Sequence, residues 1–111
     1  MRETTIAALS WSCLLLFVAG SRADDDLRAL GEYLSGECLT CHQIPGDNPA
    51  IPSISGWDPW LFEIAMEAYR TRERDHAAMQ TIAQGLSRKE VQALALYFAS
   101  LAPAEGERQA Q

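Results

Sequence analysis

The densest chemistry in this chain lies in five consecutive residues, Cys38, Leu39, Thr40, Cys41 and His42. Two thiols three positions apart, with an imidazole directly behind the second, match the attachment signature of a c-type haem. In that chemistry Cys38 and Cys41 each form a thioether to one porphyrin, and His42 reaches the iron from the same side. The competing uses of such a pair are a structural zinc site and a thioredoxin-like dithiol. Zinc needs a third and fourth ligand at matching spacing, and the sequence holds no second CxxC and no HxxxH. The single CxxCH also rules out a dihaem chain and sets the expected cofactor at one covalently bound haem c.

The compartment agrees with this reading. Arg2 provides a positive start, Ile6 to Ala19 is an apolar run, and Ser21-Arg22-Ala23 has the small-x-small pattern of a signal peptidase site. The expected organisation is therefore a signal peptide over residues 1–23, removed on export to the periplasm, and a monohaem domain over 24–111 with a frayed tail from about 103. The run is shorter than the roughly 20 apolar residues of a spanning helix, so no stable membrane insertion is expected after cleavage. Cys13 leaves with the signal, and the mature chain keeps only Cys38 and Cys41. The full chain carries 9 basic and 15 acidic side chains; removing Arg2, Arg22 and Glu3 leaves 7 and 14, a formal charge of −7. Nucleic acid is not an expected partner, and an acidic surface favours encounter with a basic protein face.

The elements that must position the motif are helical, and no alternating strand segment occurs. Leu27, Ala29, Leu30 and Leu34 follow the acidic run Asp24 to Asp26, which suits a helix with carboxylates in its first turn. That helix would end near Cys38, with Gly36 leaving room beside the motif. From Gln43 to Asp58 the chain carries Pro45, Pro49, Pro52, Gly46 and Gly56, which predicts an ordered loop whose Ile44, Ile51 and Ile54 lie on the porphyrin edge. Asp58-Pro59 is an N-cap followed by proline at the first helical position, with Leu61, Ile64, Ala65 and Ala68 at helical spacing and Met66 and Tyr69 on an adjoining stripe. A short helical turn over Gln80 to Gln84 stops at Gly85. Ser87-Arg88-Lys89-Glu90 is a capping box, and Val91, Leu94, Ala95, Phe98 and Leu101 form one face of a final helix ended by Pro103.

His42 leaves one axial position on the iron, and Met66, Met79 and His76 are the candidates in the mature chain. A methionine sulfur raises the reduction potential and closes the iron to outside ligands. Met66 sits mid-helix among apolar neighbours, where methionine usually fills core space. Met79, between a charged segment and the last helix, is placed to fold over the open haem face. Trp57 and Trp60 either pack on the haem edge or form an exposed docking patch.

From about Leu27 to Ala102 the chain resembles a small class I cytochrome c. Ile51-Pro52-Ser53-Ile54-Ser55-Gly56 is similar to the family's loop that offers a proline carbonyl to the proximal histidine. Met79-x-x-Ile82-Ala83-x-Gly85-Leu86-Ser87, followed by Leu94-Ala95-x-Tyr97-Phe98-Ala99, resembles its distal-methionine segment and closing helix. The resemblance implies an all-α fold of about three to four helices around the haem, Met79 as the sixth ligand, and Pro52 as the acceptor that orients His42. Within the class, Pro52-Ser53-Ile54, Asp58-Pro59, Phe62, Met66 and Tyr69 look most like the haem subunit of flavocytochrome c sulfide dehydrogenase, and also like the halves of cytochrome c4. Trp57, Thr71 and the lack of a glycine directly behind the motif depart from those relatives.

The expected function is electron transfer, with no catalytic acid–base pair and no enzyme activity of the chain alone. The donor implied by the resemblance is an FAD-containing sulfide dehydrogenase subunit; a freestanding shuttle to a terminal oxidase or other redox enzyme is the rival. A haem-based gas sensor or haem enzyme would need an open sixth position, and a zinc or dithiol module would be colourless. An 88-residue helical domain has a thin core for its size, so the haem and its two tethers should supply much of the stability. Circular dichroism of a Cys38→Ala, Cys41→Ala variant should show little helicity; native helicity with cooperative melting would contradict that expectation.

Overall fold

The caps foreseen in the sequence open two of the four helices, those that begin at Pro59 and Arg88. The computed structural model describes residues 7–43, 48 and 50–103, with the backbone alone for 7–21. The helices are α1 (Ala7–Leu39), α2 (Pro59–Arg70), α3 (Ala77–Gln84) and α4 (Arg88–Ser100), and no strand occurs among the described residues. The fold is the all-α class expected. Asp58 Oδ1 accepts from the amides of Trp60 at 2.9 Å and Leu61 at 3.3 Å, opening α2. At α4, Ser87 Oγ accepts from Glu90 N and the Glu90 carboxylate accepts from Ser87 N, so the capping box is complete. That bond holds the Glu90 carboxyl below its ordinary pKa.

α1 is longer than the sequence pattern suggested. It runs unbroken through the expected cleavage point after Ala23, so Asp24 to Asp26 lie inside a helix rather than in a first turn. The residues upstream include many good helix formers, and propagation costs far less than nucleation. No described helix is long and apolar enough to cross a membrane. Arg2, the loop residues Ile44, Pro45, Gly46 and Pro49, and the tail from Glu105 lie outside the described residues.

The core is built where α4 packs on α1 and α2, with α3 set against α2. Leu94, Ala95 and Phe98 of α4 are buried with Phe62 and Met66 of α2, Ala83 of α3, and Ile54 from the loop. The Phe62 and Phe98 rings stack with centroids 5.9 Å apart; fully burying a side chain such as Phe98 contributes about 1.5–3 kcal/mol. The apolar face assigned to α2 needs correction. Leu61 and Ile64 are 53% and 47% exposed, while Phe62 and Met66 are buried. Two apolar stripes share this helix, and the one carrying the large phenylalanine faces α4. Met66 is a core residue, as its mid-helix position implied. Ile54 is buried in the protein core.

α1 crosses α4 at Gly31. A Cβ placed there would lie 2.0 Å from Ala93 O and 2.8 Å from Tyr97 Cβ, and Ala93 is completely buried. The loop is held to the other end of α4 by Gly56, whose amide donates to Phe98 O at 2.8 Å. Its φ of 76° and the adjacent Pro103 leave no place for a side chain. α4 thus fixes both the helix that carries the motif and the loop that faces it.

In an open helix Gly→Ala gains about 1 kcal/mol. At Gly31 the sign should reverse, because overpacking costs about 1–3 kcal/mol or more. Denaturant titration of a Gly31→Ala holoprotein should show that loss, and unchanged stability would refute the tight crossing.

Candidate metal centre

The motif occupies the C-terminal end of α1, where the chain makes one further turn instead of running on. Cys38 O accepts from Cys41 N at 3.2 Å and from His42 N at 2.8 Å, and Thr40 Oγ1 donates to Gly36 O at 3.3 Å. These bonds satisfy carbonyls that a helix end would otherwise leave unpaired. They also put Cys38, Cys41 and His42 on a single turn. Cys38 is half-buried against the core cluster, Cys41 is exposed, and both thiols are free. Burial, and then the neighbouring Glu37 carboxylate, push the Cys38 thiol above its ordinary pKa.

His42 is oriented by the loop it faces. Its Nδ1 lies 2.7 Å from Pro52 O. A carbonyl only accepts, so Nδ1 carries the proton and donates, which leaves the Nε2 lone pair free for a metal. An oxygen acceptor behind a ligating imidazole fixes the ring and raises its basicity. The ring is half-buried, and the ten-residue span from His42 to Pro52 is closed by this bond.

Met79 approaches from a different element. It lies in the first turn of α3 and is half-buried against the same cluster that Cys38 abuts. The sequence pattern placed the helical turn after Met79, whereas α3 begins at Ala77 because His76 acts as its N-cap. Histidine is not among the preferred caps, so nothing in the local composition marked that boundary. Trp57 is half-buried against the core, while Trp60 is 68% exposed.

The donor set fits a haem better than its competitors. Two free thiols on one turn, an imidazole with Nε2 available and a thioether against the same core are the ligand chemistry of a c-type centre. Among the described residues no group of three or more His, Cys, Asp or Glu is assembled, so the ligand cage of structural zinc is not formed there.

Comparison with known proteins agrees with this geometry. A 77-residue stretch is 34% identical to cytochrome c-554(548) of Halomonas halodenitrificans, covering 65% of this chain and 93% of that protein. The chain belongs to the c-type cytochromes. A 72-residue stretch is 35% identical to the cytochrome subunit of sulfide dehydrogenase of Chlorobaculum tepidum, covering 64% of this chain and 66% of that subunit. No family model matches. As a c-type cytochrome the chain is an electron-transfer protein, not an enzyme by itself.

Proposed function

We propose that the mature protein is a periplasmic monohaem cytochrome that accepts electrons from a flavoprotein sulfide dehydrogenase subunit. The observation that carries the haem assignment is the His42 Nδ1 to Pro52 O contact of 2.7 Å, next to two free thiols on one turn. Cys38 and Cys41 hold the porphyrin. Each sulfur would be joined to the porphyrin through a thioether. His42 Nε2 and the Met79 sulfur would ligate its iron, and Pro52 holds the imidazole in register. When bound, the haem supplies a one-electron ferric/ferrous couple. A methionine opposite histidine raises its potential and closes the iron to exogenous ligands, which suits a carrier.

Two features support the location and the donor. The Ile6 to Ala19 run followed by Ser21-Arg22-Ala23 is an export signal ending at Ala23. Likeness to the cytochrome subunit of a sulfide dehydrogenase suggests a flavin-bearing donor that delivers electrons taken from sulfide. Exported chain of formal charge −7 would meet a partner through a basic face. A freestanding shuttle is the second reading. It is favoured by the likeness to cytochrome c-554(548), nearly all of whose length is matched.

An optical spectrum of protein gently purified from its own host separates these readings. A c-type haem spectrum with a co-purifying, dithionite-bleachable flavin is the expected result. Haem without flavin would reject the sulfide dehydrogenase assignment in favour of the shuttle, and a colourless protein would reject both.

A further inference from the structure

The segment between α2 and α3 is folded back on itself and tied to Met79. Arg72 adopts φ 65°, the left-handed region that non-glycine residues rarely enter. That turn lets Arg72 N donate to Tyr69 O at 3.1 Å and Arg74 N donate to Ala68 O at 3.0 Å. The Arg74 guanidinium then lies 4.7 Å from the Tyr69 ring centroid, within the range of a cation–π contact. Arg74 O accepts from Gln80 Nε2 on α3 at 2.9 Å. The His76 ring meets Tyr69 edge to face at 6.4 Å, and its Nδ1 accepts from Met79 N at 3.3 Å. The end of α2 is thereby linked to the first turn of α3 through side chains as well as through the chain.

We propose that His76 is a positioning residue for the Met79 thioether. This rests on the reading of Met79 as sixth ligand. A methionine has three rotatable bonds and adapts to many positions, so the backbone under it has to be fixed if the sulfur is to stay on the iron. α3 has eight residues and is too short to hold its first turn by helix propagation alone. A serine or aspartate would cap it as well as histidine does. The imidazole adds a second contact, because one side chain touches both the Met79 amide and the Tyr69 ring. His76 is thereby assigned away from iron ligation, although the sequence left it among the axial candidates.

The test compares the ferric holoprotein with His76→Ala, His76→Asn and Met79→Leu variants at a temperature where all are folded by circular dichroism. The readouts are the long-wavelength sulfur-to-iron charge-transfer band, the reduction potential and the affinity for added imidazole. The band should be present in the parent and absent in Met79→Leu. Loss of an N-cap typically shifts a helix equilibrium about fivefold. His76→Ala should therefore raise imidazole affinity by about fivefold, with a weaker band and a lower potential. His76→Asn, which keeps an acceptor for the Met79 amide but not the contact with Tyr69, should recover part of the change. A parent without the band would remove the Met79 reading itself, including the case in which His76 binds the iron. A parent with the band, lost in Met79→Leu but unchanged in His76→Ala, would overturn the positioning role alone. Failure of asparagine to rescue would overturn it too.

Discussion

The close crossing of α1 over α4 is the contact on which the site depends. Gly31 lies seven residues, or about 10 Å of helix, before Cys38. Its lack of a side chain lets the α1 backbone rest on Ala93. That contact sets the height and direction at which α1 arrives at its last turn, and hence where both thiols and His42 stand. α4 also receives the Gly56 amide through Phe98 O, and the loop held there contains Pro52. One helix therefore positions both partners of the His42 to Pro52 bond, although neither belongs to it.

The division of labour among the elements matches what an electron carrier needs. Geometry around the imidazole is fixed by a backbone carbonyl, which does not titrate. Met79, the proposed second ligand, comes from a short helix whose first turn is tied to the end of α2 by His76, Arg74 and Gln80. The core between them is small. Among the described residues seven buried apolar side chains form its centre, and a domain of this size buries little surface on its own. A bound porphyrin would be part of the packing as well as the source of the redox couple.

The caps of α2 and α4 and the Cys38 to His42 turn were legible because each depends on a local pattern of a few residues. Asp58 with Pro59, Ser87 with Glu90, and Cys38 to His42 all act within one turn, and all were found where their types placed them. The inner face of α2 was not legible. Leu61 and Ile64 satisfy helical periodicity as well as Phe62 and Met66 do, and the choice is made by Phe98 across the interface. The start of α3 was hidden because its cap is a histidine. Gly31 gave no local signal, since a glycine inside a helix shows its purpose only when the opposing Ala93 is known. Pro52 sits between these cases: the loop resembled a known one, but its carbonyl is a backbone group, and only the fold shows it facing His42.

The most direct test of the haem assignment is mass spectrometry of the mature protein after trypsin digestion. No lysine or arginine lies between Arg28 and Arg70, so one peptide, Ala29 to Arg70, contains Cys38, Cys41 and His42. This peptide should carry the mass of one haem, without loss of either sulfur. The same peptide recovered with two free thiols, or with Cys38 joined to Cys41, would contradict it.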